Sequence, residues 1–493
     1  MHGTVAAHSS HQQLVAEFLE HACLHYGTRP GTNVWDRHYS DEPSRWRYAA
    51  SILERHPEIV RDNIHVAAVS GNLAEVQRIL SMHPTAATER GGPQQWQPLL
   101  CVCYGRLPLP ASSDNALAIA EALLDAGADP VDHMGASDSL FHCLTGVIGS
   151  GEFSQPPHPQ AVALATCLIE RGADPYDPQA MYNTSLDGED TFWREFLYDR
   201  SARRHETHRW TEGSAAWPQA GLLTYLLSND VTRNRIHRAE WLLTRGADAS
   251  SAHYYSKRPL LTEALLNGFT AMAALLERFG AKPQPLSDRD AFQVAAMRLD
   301  LETATELVRG HPEFLRDAEP LLHAAGRDML EVTTFLLDLG VSPDVANKDN
   351  FRPLHAAAGS DSLRVGKLLI DRGAEIDPRE ARFNGIPLGW AVHGKSLDMV
   401  ALLGSLSRDA IELTYSGSLP RLRELSAEDP NFLTLPEASL LFFLPEDEQL
   451  AISVGKFLLA QGVDRATKNQ DGLTATEHAC NRGMHAVAEL LSS

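Results

Sequence analysis

One phrase recurs along the chain and sets the limits on its fold. Two apolar residues close an amphipathic stretch, polar residues follow, and then come glycine, a small residue and an acid. Clear copies run from Leu123 to Pro130, Leu168 to Pro175 and Leu242 to Asp248. Looser ones run from Leu275 to Lys282, Leu336 to Pro343, Leu369 to Glu375 and Leu458 to Asp464. A helix commonly ends on a residue in the left-handed conformation, which only glycine takes without a steric penalty. Each copy therefore predicts a helix C-terminus.

A second phrase lies about twenty residues ahead of several of these endings. Its fullest form is Phe351-Arg352-Pro353-Leu354-His355-Ala356-Ala357, with variants at Pro320 to Ala325, Lys257 to Leu261 and Gly385 to Leu388. Proline suits the first helical turn, where its missing N–H would have no partner, so each copy predicts a helix start. The best-preserved period is 33 to 34 residues, as from Gly246 to Gly280, Gly340 to Gly373 and Pro353 to Pro387. Helix, turn and helix at that period mark a stacked array, in which each unit buries its apolar face against its neighbours.

On these residues the chain resembles an ankyrin-repeat protein, closely over Arg245 to Asp377 and from Asp471-Gly472-Leu473-Thr474 to Leu491, diffusely elsewhere. It departs from the family pattern at Arg352, where a threonine should cap the helix. Several junctions carry His-Pro, as in His56-Pro57-Glu58, His83-Pro84 and His311-Pro312-Glu313, with a degenerate form at Asp429-Pro430. The chain is in this respect similar to divergent arrays of bacterial type.

The expected fold is all-α: an ankyrin-repeat solenoid of about a dozen helix pairs with short hairpin loops and several insertions in the N-terminal half. Residues 1–62 are expected to form a helical cap, 63–244 divergent repeats with insertions, and 245–493 regular repeats ending in a C-terminal cap. Spacing widens to about 45 residues in the first half. The excess is assigned to insertions at Tyr26 to Pro43, Gly105 to Asp114, Thr145 to Pro159 and Asp187 to Gln219. Long loops in a compact array are usually functional or disordered.

Charge and composition narrow the function. With 64 acidic against 43 basic residues the net charge is −21, which repels a polyanion, so nucleic acid is not an expected partner. No apolar run is long enough to span a bilayer, and Met1 to Gln13 has no Sec-type signal pattern, so neither a membrane nor classical export is expected. Six cysteines in 493 residues make no disulfide framework and fit reduced thiols in the cytoplasm. Protonating all 22 histidines would cancel the net charge, so solubility is expected to fall below about pH 6.

No catalytic motif carries weight. Gly149-Ser150-Gly151 lacks the third glycine of a dinucleotide fingerprint. The S-x-x-K spacing at Ser453 and Lys456 is explained by alignment of Val454 to Leu458 with Val365 to Leu369 of another repeat. Cys101, Cys103 and Cys143 read as buried thiols, and His323 and His355 as histidines bonding between repeats. No cofactor and no metal is expected, and an enzyme is the less favoured reading.

The segment from Arg200 to Trp210, Arg-Ser-Ala-Arg-Arg-His-Glu-Thr-His-Arg-Trp, is a basic island in an acidic chain. Its His205 and His208 are three apart, where the metalloprotease pattern requires four. Seven of the eight tryptophans lie in the first half with the insertions, and Trp and Arg dominate binding hot spots. The candidate partner-binding residues are therefore Trp35, Trp96, Tyr182, Trp193, Arg203, Arg204, His205, His208, Trp210 and Trp217. The resemblance implies a non-catalytic recognition scaffold that binds a protein through the concave face; the basic island, set in an acidic chain, adds the expectation of an acidic patch on the partner. The alternative is an enzyme or small-ligand binder with a site between the 181–217 insertion and the inner helices.

Overall fold

The computed structural model describes residues 2–26, 41–61, 63–135, 140–152, 154–186, 188–212, 221–435 and 438–493, with side chains from His11 onward. The chain divides into two compact units, Met1–Ala264 with Thr270–Lys282, and Leu265–Phe269 with Pro283–Ser493. Both are built of short helices. The described strands are the two-residue pair His133–Met134 and Phe141–His142, joined antiparallel.

In the first unit, helices His2–Ala22 and Pro43–Arg55 pack together and lead into successive pairs. The first helices Ile64–Val69, Pro98–Tyr104, Cys143–Ile148, Pro178–Leu186 and Leu222–Thr232 touch in sequence and form one row. The second helices Leu73–Met82, Ala116–Asp125 and Ala161–Glu170 form another. The second unit repeats the plan. Glu319–Ala325, Pro353–Gly359, Pro387–His393 and Ala410–Tyr415 make its first row, and Leu330–Leu339, Leu363–Asp371, Leu397–Leu406 and Leu419–Glu428 its second. Between the rows runs a continuous apolar core that includes Leu321, Leu336, Leu354, Leu369, Leu388 and Leu403, each at most 1% exposed. Stacking is what buries these residues, since no single helix pair encloses its own apolar face.

Local chemistry sets the helix ends. Gly340 closes the Leu330–Leu339 helix at φ +108°, and the same positive φ occurs at Gly127, Gly172, Gly246, Gly280, Gly373 and Gly462, the other glycines of the repeated phrase. The His-Pro junctions end their helices differently. Proline disfavours the helical region for the residue before it. His56, His83 and His311 accordingly sit at φ −133° to −136°, each donating its N–H back four residues and each followed by a 3₁₀ turn. In two of these turns the histidine Nδ1 meets the glutamate two residues on, at 3.1 Å for both His56–Glu58 and His311–Glu313. Asp429 follows the same geometry at φ −131°.

The capping departure at Arg352 also resolves. The ring of His355 reaches back so that its Nδ1 accepts from the Arg352 N–H at 3.1 Å, while its Nε2 donates to the Pro378 carbonyl of the next unit at 3.0 Å. The C-terminal unit keeps a full capping box, Thr474 N donating to Glu477 Oε2 at 2.7 Å and Glu477 N to Thr474 Oγ1 at 3.3 Å.

The expected insertions need correction. Gly105 to Asp114 closes on a short helix of its own, Pro110–Asp114. Thr145 to Ile148 belong to the helix Cys143–Ile148, so the extra chain there begins at Gly149. The span 187–219 is not a loop throughout. It holds the helix Phe192–Arg203 and the 3₁₀ turn Thr207–Trp210, while 187 and 213–219 lie outside the described residues. So do residues 27–40, most of the insertion expected from Tyr26 to Pro43.

The 188–212 segment is held by the buried Phe196, Leu197 and Trp210 and by a polar cluster. Asp230, fully buried, receives Arg194 Nη1 at 2.5 Å and faces Arg238 Nε at 3.3 Å. Arg238 also donates to the Thr184 and Gly188 carbonyls, and Arg235 to those of Ser185 and Leu186. The open C-terminal carbonyls of the Pro178–Leu186 helix are thus closed by two guanidiniums from the Ile236–Leu243 helix and the residue before it. Burial and the Arg194 charge hold the Arg238 pKa down to about 10.

Candidate functional site

The structure separates the candidate residues into four groups. Trp35 and Trp217 lie outside the described residues. Trp96 and Trp210 are core residues, 4% and 0% exposed. Trp96 packs on Tyr104 with ring centroids 5.5 Å apart, and Trp210 sits edge-on to Tyr176 and Tyr198 at 5.9 and 5.2 Å. Neither indole is available to a partner. The signal that drew attention to them, a large amphipathic ring, serves a core as well as an interface.

The basic island lies beside the second-helix row of the first unit. Arg204 donates to the Ile169 carbonyl at 2.5 Å, closing the Ala161–Glu170 helix, and Arg209 holds Asp174 through both terminal nitrogens at 3.1 and 2.7 Å. Arg200 stacks over the Phe196 ring. These contacts leave Arg203, His205 and His208 facing solvent. His205 ends the helix at φ +60° and His208 belongs to the following 3₁₀ turn, so the two do not share one helix face. Trp193 stands on the same helix, in an edge-on cluster with Phe192 and Phe196. It also lines a cavity of about 280 Å³ with Ser150, Pro156, Thr184, Asp190 and Arg194. The charged groups of that cavity are engaged, Asp190 with the Phe192 N–H and Arg194 with Asp230.

Tyr182 lies on the other row. It stands on the first helix Pro178–Leu186, 6.4 Å from Tyr225 of Leu222–Thr232, and its hydroxyl donates to Glu152. Tyr225 in turn meets Tyr254 edge-on at 5.0 Å, and its hydroxyl lies 3.3 Å from that of Tyr255. Lys257 Nζ sits 4.9 Å from the Tyr254 ring centroid. Burial pushes the hydroxyls of Tyr182 and Tyr225 well above their ordinary range, helped by Glu152 at the first and by the Tyr255 hydroxyl at the second. Both remain protonated.

Tyr254 and Tyr255 occupy the tip that precedes the helix Leu260–Leu266, and this tip is tied down. His253 N donates to the Arg258 carbonyl at 2.7 Å, His253 Nδ1 accepts from Ser256 N at 3.0 Å, and Tyr254 N donates to Ser228 Oγ at 2.8 Å. Tyr255 nevertheless remains 64% exposed. The sequence reading found Tyr182 but missed Tyr225, Tyr254 and Tyr255. The consecutive tyrosines of Ala252-His253-Tyr254-Tyr255 just ahead of the Lys257-Arg258-Pro259 helix start were the available signal.

The other motifs take structural places. His65, His323 and His355 each aim Nε2 at a backbone carbonyl, of Trp96, Asn267 and Pro378, at 2.9, 3.4 and 3.0 Å, and burial lowers the pKa of all three. Cys101, Cys103 and Cys143 are buried thiols.

The repeat geometry agrees with a family match. The model for ankyrin repeats, in three copies, matches residues 292–380 and again 321–415. Residues 292–415 are ankyrin repeats. The ankyrin span covers the Gly340 and Gly373 turns and the His355 bridge described above. Ankyrin repeats generally mediate protein–protein interaction. No curated protein matches the chain. Among the described residues no helix is long and apolar enough to cross a membrane.

Proposed function

We propose that the chain is a non-catalytic recognition scaffold that binds a protein partner through the face made by its first helices and hairpin tips. The first compact unit, which holds both Tyr182 and Tyr255, carries the specificity. The observation that carries the reading is Tyr255, an aromatic ring 64% exposed on a tip fixed by backbone hydrogen bonds and backed by Tyr225 and Tyr254. A rigid tyrosine offers a large amphipathic contact with little side-chain entropy to lose, the property that makes such residues interface anchors. The exposed Arg203, His205 and His208 supply a second contact on the other row, suited to an acidic patch. Six unpaired cysteines support a reducing, cytoplasmic location as part of the same reading.

Affinity capture with the full chain, followed by mass spectrometry, identifies the partner. Tyr255→Ala should then weaken binding by roughly tenfold or more, as expected of a hot-spot anchor. Arg203→Ala should weaken it less and flatten its salt dependence. Arg364→Ala, an exposed residue of the second unit paired with Asp328, is the control. A partner that binds Tyr255→Ala and Tyr182→Ala as well as the parent would refute the assignment of this face.

A further inference from the structure

Within the ankyrin span, the helix Pro387–His393 differs from its neighbour at one informative position. Pro353-Leu354-His355 of one unit becomes Pro387-Leu388-Gly389 in the next. The His355 ring fills the space up to the following tip. Gly389 fills nothing, and a Cβ built there would lie 2.7 Å from Glu412 Oε2. Glycine weakens a helix interior, and here its effect is to admit a carboxylate where the repeat otherwise places an imidazole.

Around that carboxylate opens a cleft of about 460 Å³. It is lined by the rings of Phe383, Trp390, Tyr415 and Phe443, with Ile411 and His393. The rings are held in place. Trp390 is edge-on to Phe351 at 5.0 Å and to Phe383 at 6.1 Å, and the Tyr415 hydroxyl donates to Glu446 at 3.1 Å. Phe383 is 65% exposed, yet its loop is ordered by the buried Glu380, which accepts from the N–H groups of Arg382, Phe383 and Gly385 at 2.6, 2.9 and 3.0 Å.

Glu412 is the third residue of the helix Ala410–Tyr415, the position from which a glutamate normally folds back to the N-cap N–H. That N–H, of Asp409, donates instead to Ser407 Oγ at 3.1 Å. The nearest guanidinium, Arg379, is engaged by Asp409 and by the Asn384 carbonyl. Among the described residues the Glu412 carboxylate has no hydrogen bond or ion pair. Burial, with Asp409 and Asp377 adding to it and Arg379 opposing, pushes its pKa up to about 7. An apolar guest would leave that group unsatisfied, whereas a cation would meet both the carboxylate and the negative faces of the rings.

We propose that this cleft seats the cationic end of a basic side chain on a protein partner, the aromatic walls enclosing it and Glu412 pairing its charge. The inference rests on the reading that the first-helix face recognises protein, but its test uses no partner and a different unit, so either can fail alone.

The full chain is labelled with 5-fluorotryptophan, and the Trp390 resonance is identified by its loss in Trp390→Phe. It is titrated with tetramethylammonium, N-acetyl-lysine methylamide, the trimethylated lysine form and N-acetyl-arginine methylamide, and with 3,3-dimethylbutanol as a neutral isostere. At least one cation should shift the resonance saturably in the millimolar range, with the isostere about tenfold weaker or worse. Glu412→Gln should weaken the cation about tenfold, and Gly389→His, which restores the residue of the neighbouring unit, should abolish its effect in a chain whose far-ultraviolet circular dichroism is unchanged. The ranking of the lysine, trimethyllysine and arginine probes identifies the side chain. Equal shifts from cation and isostere, no saturable shift from any cation up to about 50 mM, or undiminished binding by either variant would overturn the proposal.

Discussion

Replacing Glu412 by glutamine removes a charge while keeping the shape of the side chain, and its effect on stability follows from linkage. The carboxyl has an ordinary pKa of 4.5 and is raised to about 7 in the fold. Between those values the folded state holds more protons than the unfolded one. Stability is therefore fully present below pH 4.5, declines as pH rises, and is flat again above about 7. A difference of this size corresponds to about 3 kcal/mol, an upper bound because the cleft admits water. Glu412→Gln should thus be more stable than the parent at pH 8 by about 2–3 kcal/mol and equal to it near pH 4.5. Subtracting parent from variant cancels the contributions of groups remote from Glu412, while the charges of Asp409, Asp377 and Arg379, which act on it, stay in the difference. Urea unfolding read at the fluorinated Trp390 follows the part of the fold concerned, because the other seven tryptophans all precede residue 242. A variant that is less stable than the parent at pH 8, or a difference that does not change with pH, would show that Glu412 is neither desolvated nor unpaired.

Three further outcomes are expected. Asp230→Asn should destabilise by about 3–5 kcal/mol in urea unfolding, since it leaves two buried guanidiniums without their charge partner, whereas Arg203→Ala, on the surface, should change stability by less than about 0.5 kcal/mol. Gly340→Ala should cost about 1–2 kcal/mol through backbone conformation alone, the nearest atom to its new Cβ being Leu315 Cδ1 at 3.7 Å. Gly310→Ala, at a helix end without a positive φ and with open space around it, should be neutral or stabilising by up to about 1 kcal/mol in the same assay. On acidification, light scattering should rise less than the histidine count implies, because burial lowers the pKa of His21, His25, His65, His158, His253, His323, His355 and His478. The charge then stays negative near pH 5.5. A sharp onset of aggregation between pH 6 and 5.5 would refute this.

Features governed by neighbouring residues were legible in the sequence. The glycine endings could be read because the left-handed turn excludes other side chains, and Pro353, Pro387 and the Thr474–Glu477 box because capping is a contact within one turn. Of the helix Phe192–Arg203 only the paired apolar end at Leu197 was legible. Apolar periodicity fails there because one of its buried positions is Arg194, whose partner Asp230 lies 36 residues away. Trp96 and Trp210 were misread for a related reason, since an indole looks the same from the sequence whether it fills a core or faces a partner. The loss of the repeat histidine at Gly389 was visible, but its meaning depends on a carboxylate in the following unit. The histidine arithmetic counted side chains without knowing which are enclosed.

The guanidinium clamp at Asp230 bears on how this protein can be cut and shuffled. In an array whose units touch only their neighbours through apolar faces, a unit can be deleted and the ends rejoined at moderate cost. Deleting the stretch between Pro178 and Leu186, or ending the chain before Arg235, would instead strand either charged nitrogens or helix carbonyls in a closed interior. That region should melt and exchange its amides as one block, and modular engineering or loss of repeats should be tolerated only in units outside it.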